Sequence, residues 1–205
     1  VDRFILDILP YTERFLPMTW IRIVEPSDAD GRLAKAYAKA AHGGQVDEIL
    51  LAHSLRGHTL EGHLALYRAV LHHPDNTLAP AFAEAIGVLV SRINGCGYCV
   101  EHHSEGLRRA LKNPALADAW LEALQSVARE EVFDTRQRAA LAWSELLAAA
   151  PAGCSEDDIE ALRRAGWDDG EILEINQVVA YFCYANRTVL GLGVTTKREK
   201  AGEHP

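Results

Sequence analysis

Residues 84–106 read EAIGVLVSRINGCGYCVEHHSEG, and the architecture hangs on how the chain passes through the middle of that run. Leu78–Ile93 is strongly apolar with helical spacing, and from Cys96 to Leu111 the pattern is helical again. Between them stands Asn94-Gly95, a dipeptide that readily takes a turn. Were residues 84–103 one straight helix, Glu84 would lie roughly 18 Å from Cys96 at ~1.5 Å per residue and could do nothing there. A fold-back at Asn94-Gly95 places Glu84 about as far before the turn as residue 105 lies after it. Its carboxylate then stands level with His103.

A helix beginning near Cys96 puts Cys96, Cys99 and His103 at i, i+3 and i+7, along one face, with the imidazole one turn beyond the second sulfur. Three features then converge on thiol activation. A helix N-terminus carries partial positive charge and free N–H groups, which favour a thiolate. His103 can accept a thiol proton or stabilise the anion. A second cysteine three residues away can trap an oxidised first one as a disulfide. A carboxylate from Glu84 would fix the imidazole tautomer and raise its basicity.

Working outward, helical periodicity dominates and strand alternation is nearly absent. Gly31–Ala41 reads as a short Ala-rich helix stopping at Gly43-Gly44. Val46–Leu71 is helical with breaks expected at Gly57 and Gly62, and Pro74-Asp75-Asn76 is a turn. Ala115–Val127 and Arg136–Ala150 follow. Ser155-Glu156-Asp157-Asp158 has the form of an N-terminal cap, and Gly166 suits the stop of that helix. Glu171–Leu190 is a last long helix with Ile172, Ile175, Val179, Phe182 and Val189 facing inward, ended by Gly191 and Gly193. No repeat, dividing linker or glycine-rich phosphate loop occurs. The expectation is an all-α, single-domain helical bundle over residues 18–195, preceded by an arm of open origin at 1–17, since the only methionine is Met18, and followed by a polar tail at 196–205.

A net charge of −8 argues against nucleic acid and anionic membrane surfaces as partners. No apolar stretch approaches the roughly 18 residues of a membrane span, and Asp2, Asp7 and Pro10 interrupt any signal-like segment. A cytoplasmic protein is expected. Four cysteines, Cys96, Cys99, Cys154 and Cys183, are too few for a disulfide scaffold, so the CxxC points to redox or metal chemistry.

The rival readings are specific. Zinc could take Cys96, Cys99 and His103 with Glu84 or water fourth, although no second CxxC or His-x3-His completes a closed site. A c-type haem needs histidine directly after the second cysteine, where Val100 stands. His53, His58 and His63, spaced five apart, point in different directions on a regular helix and read as surface or capping residues. His72 and His73 read as helix-end residues. His102 faces about 100° from His103, toward solvent or a subunit contact. Cys154 lies in a loop, Cys183 among core residues, and Asn186-Arg187 reads as a structural hydrogen-bonding pair.

The Glu-x11-Cys-x2-Cys-x3-His pattern of Glu84–His103, with its apolar helix, resembles the alkylhydroperoxidase D core within the carboxymuconolactone decarboxylase-like superfamily. Flanking text, Trp20-Ile21, RQRAALA at Arg136–Ala142, LRRAG at Leu162–Gly166 and YFCYANRTVLGLG at Tyr181–Gly193, resembles the peroxidase-related enzyme subgroup. The resemblance implies an all-α homo-oligomer with thiol-dependent peroxidase activity and no cofactor or metal. It further implies Cys99 as the sulfur attacking an organic hydroperoxide, Cys96 as its resolving partner, and His103 with Glu84 as the proton relay. An external dithiol reductant, thioredoxin-like or lipoyl-bearing, would complete the cycle. Decarboxylase members lack the cysteine pair. The prototype has histidine immediately before its second cysteine, where this chain has Tyr98, so proton delivery would differ here. A zinc-stabilised or redox-sensing oligomer and a decarboxylase-like acid/base enzyme are the alternatives.

Overall fold

The computed structural model describes residues 18–41, 44–126 and 129–195, so the expected arm at 1–17, the tail at 196–205, Gly43 and Val127 lie outside the described residues. Within them the chain is helical without a β-strand. Its α-helices are α1 (Gly31–Ala40), α2 (Glu48–Ala52), α3 (Gly57–Leu71), α4 (Pro80–Ile93), α5 (Gly97–Leu111), α6 (Pro114–Ala123), α7 (Thr135–Ala149), α8 (Glu156–Arg164) and α9 (Asp169–Leu192).

Helix α4 organises the rest. Every residue from Phe82 to Ser91 is buried, and a helix apolar on all sides belongs at the centre of a bundle. Pro80 opens it in the first turn, where a missing N–H costs nothing. Helices α5, α7 and α9 pack around it. Its end is a Schellman motif: Gly95 adopts φ +72°, the Gly95 N–H donates to the Arg92 carbonyl, and the Cys96 N–H donates to the Ser91 carbonyl at 2.8 Å. That reversal lays α5 back along α4, as Asn94-Gly95 requires.

Helix α9 is fastened to the same corner. Its wholly buried Asn186 donates through Nδ2 to Ser91 Oγ at 3.1 Å and accepts at Oδ1 from Asn94 Nδ2 at 2.9 Å. Arg187 donates to the Cys183 carbonyl one turn back, so both residues of the pair serve as expected. A Cβ at Gly87 would run into the Phe182 ring, so glycine permits the close approach of α4 and α9.

Two expected glycine breaks do not occur. Gly62 lies inside α3, on an exposed position with open space around it, and Gly191 lies inside α9. An interior glycine costs about 1 kcal/mol against alanine, too little to stop a helix held by tertiary burial. Gly57 does mark a break, where the 3-10 turn Ser54–Arg56 separates α2 from α3. Gly193, at φ +64°, ends α9. The Ser155 cap is present, its N–H donating to the Asp158 carboxylate at 2.8 Å. Helix α9 starts before the expected Glu171 because Asp168 caps it, accepting from the Glu171 N–H at 2.8 Å. No helix of the described residues is long and apolar enough to cross a membrane.

Candidate active site

Cys96 is the N-cap of α5, its Sγ accepting from the Cys99 N–H at 3.4 Å. The two cysteines are joined in a disulfide, with Cα atoms 5.4 Å apart. They sit where α2, the start of α5 and the end of α9 meet, in a small apolar cluster with Ala52, Tyr98, Val189 and Val194. Their environments differ: Cys96 is wholly buried, whereas Cys99 borders a cavity of about 580 Å³.

One helical turn beyond Cys99, His103 lines the same cavity. Its Nδ1–H donates to Glu84 Oε2 at 2.7 Å, and both side chains are largely buried. The carboxylate can only accept, which fixes the proton on Nδ1 and leaves Nε2 to take or give one. Phe182 meets the imidazole edge-on, ring centroids 4.4 Å apart. Glu84 occupies space that Gly106 leaves: a Cβ there would lie 2.7 Å from the Glu84 carboxyl carbon. All four residues singled out in the sequence are thus brought together. The disulfide and the His103–Glu84 hydrogen bond engage the same four side chains that a zinc site would need. Among the described residues no group of three or more His, Cys, Asp or Glu is arranged to hold a metal ion.

The remaining walls were not legible. Tyr67 and Tyr181 line the cavity, and burial above all raises both phenol pKa values, so each keeps its proton as a donor. His63, expected at the surface, is 4% exposed and lines the cavity, its Nε2 lying 3.5 Å from the Tyr181 hydroxyl. Its ring lies 5.0 Å from that of His53. Burial, and next the nearby His53, push its pKa down to about 4. The regular-helix argument fails for this pair because the 3-10 turn at Ser54–Arg56 changes the direction of the chain between them; only His58 is exposed as expected. His102 also lines the cavity instead of facing away, stacked on the Tyr98 ring with centroids 4.1 Å apart. The Tyr98 hydroxyl accepts from the Ile49 N–H at 3.3 Å, tying α5 to α2. Cys154 and Cys183 are free and partly buried.

Residues 59–146 match the carboxymuconolactone decarboxylase family. No curated protein matches the sequence. Among solved structures, the chain is similar to the alkylhydroperoxidase AhpD core of a peroxidase-related protein from Ralstonia eutropha, with 27% identity and TM-score 0.72 over 87% of this chain and 92% of that one. It is similar to a peroxidase-related protein from Silicibacter sp., with 26% identity and TM-score 0.68 over 88% and 89%. A debrominase in complex with 2,3,4-tribromopyrrole shares the fold at 19% identity and TM-score 0.67, over 84% of this chain and 89% of that one. The fold and the match over residues 59–146 agree: that segment is similar to the carboxymuconolactone decarboxylase family, and the chain has the alkylhydroperoxidase D core fold.

Proposed function

We propose that this protein reduces organic hydroperoxides with the Cys96–Cys99 pair. The observation that carries the reading is the placement of Cys99 on a cavity wall one turn from an imidazole held by a carboxylate, with its disulfide partner buried behind it. In the reduced protein, His103 takes the Cys99 proton on Nε2 while Glu84 stabilises the imidazolium through Nδ1. The thiolate attacks the terminal oxygen of ROOH. The O–O bond breaks, the proton on His103 goes to the departing alkoxide, and ROH leaves with Cys99 as a sulfenic acid. The Cys96 thiol displaces water from that sulfur, giving the disulfide. Two thiols are oxidised and one peroxide bond is reduced. An external dithiol protein restores the pair.

Reduced protein is treated with one equivalent of cumene hydroperoxide and followed by intact mass and thiol count. Rapid loss of two thiols, mapped to a Cys96–Cys99 bridge and reversed by dithiol, is expected; retention of all thiols overturns the reading. Cys99→Ser should abolish turnover. Glu84→Gln should slow it by about tenfold or more with the fold retained. A decarboxylase-like acid/base enzyme would instead keep its activity when both cysteines are replaced by serine.

A further inference from the structure

The cavity is far larger than a peroxide group needs, and its two ends differ chemically. Helix α5 supplies one wall as a continuous stripe, Cys99, His102, His103, Gly106 and Arg109, the spacing of a single helix face. From Cys99 to Arg109 that stripe rises about 15 Å at ~1.5 Å per residue. This is the depth of one acyl layer of a bilayer, whose hydrocarbon core is about 30 Å thick. Helix α3 supplies the facing wall with Leu64, Tyr67 and Arg68. Arg68 and Arg109 thus line one cavity from two helices, and both lower the pKa of Tyr67 against burial, Glu84 and Asp47, which raise it.

The charges there are unevenly matched. Arg109 is exposed and has no acidic partner among the described residues. Arg68 donates to the Lys39 carbonyl at 2.7 Å and likewise has no acidic partner among them. Of the carboxylates at the cavity, Glu84 is held by His103, and Asp47 belongs to the stretch leading into α2. On a chain of net charge −8, two arginines lining one cavity with no ion-pair partner among the described residues form an anion-receptive end. Beside its histidines the cavity is also lined by apolar and aromatic residues, including Leu50, Leu64, Tyr67 and Phe182.

Given that Cys99 reduces a hydroperoxide, we infer that the cavity takes acyl-chain hydroperoxides bearing a carboxylate, with the peroxide at Cys99 and the carboxylate at Arg109 and Arg68. The peroxide is reduced to the alcohol by the two thiols with water as second product, and the carboxylate is untouched.

Two measurements test this. The first is calorimetric binding of dodecanoate and of dodecanol, its neutral counterpart, to the disulfide form of the wild type, Arg109→Gln and Arg109→Glu. The expected result is carboxylate binding about tenfold tighter than alcohol binding in the wild type, with that preference lost in Arg109→Gln and reversed in Arg109→Glu. The second is kcat/KM for a C18 hydroperoxy fatty acid against its methyl ester, where the acid should be preferred by a similar factor and the preference should vanish in Arg109→Gln. Equal handling of acid and ester, or dodecanoate binding indifferent to Arg109, overturns the substrate class while leaving the peroxidase reading intact. Failure of the wild type to consume cumene hydroperoxide as well overturns both.

Discussion

At Gly106 helix α5 passes so close to Glu84 that an added methyl group would lie 2.7 Å from the carboxyl carbon. Gly106→Ala must therefore displace the carboxylate from His103. Overpacking of this kind costs about 1–3 kcal/mol of stability, and the variant should lose turnover to the same degree as Glu84→Gln. Thermal unfolding beside kcat/KM separates the two effects, and an unchanged rate would remove Glu84 from the relay. The Glu84–His103 contact was legible in the sequence because it depends only on where the turn falls, and Asn94-Gly95 marks that. His63 was not legible. Its placement depends on a 3-10 turn between two helices and on Tyr181, which arrives from far along the chain. His102 departs from expectation for a different reason. The cavity wraps far enough around α5 to admit a residue about 100° from His103, and angle alone does not say how wide a neighbouring void is.

The α4–α5 hairpin and its fastening to α9 set the geometry of the site. Gly95→Ala forces a side chain into φ +72°, which costs about 1–2 kcal/mol; urea unfolding should show that loss with an unchanged m-value. Asn186→Leu removes the partner of both Ser91 and Asn94 within the core. Leaving such groups unsatisfied costs about 1–3 kcal/mol. Because the disulfide lies just beyond that corner, the variant should also form its Cys96–Cys99 bridge more slowly, as read by stopped-flow thiol loss. Helices themselves were legible, since burial at helical spacing leaves its trace in every segment. Their interruptions were less so: Gly62 and Gly191 break nothing, because burial of their helices outweighs a local propensity.

Taken whole, the protein buries a neutral imidazole between helices, and this makes its stability acid-sensitive. The ordinary histidine value is 6.5, while His63 in the folded protein stands at about 4, lowered first by burial and then by His53. Between these values the unfolded chain binds a proton that the native one refuses. His63 therefore supports the fold fully above about pH 6.5, and that support fades as the pH falls toward 4. The loss is on the order of 3 kcal/mol. His63→Leu should flatten the difference in urea stability between pH 7 and pH 4.5, and an identical difference in both proteins would show that the imidazole is not buried neutral.

The contrast between the two sulfurs has a kinetic consequence. Cys96 is sealed off and Cys99 meets the outside only across the cavity, so in the proposed cycle the oxidant and the reductant must use one doorway in turn. Each therefore obstructs the other by occupying the form that awaits its rival. Steady-state plots should be ping-pong with mutual competitive inhibition, and excess hydroperoxide at fixed dithiol should slow the enzyme.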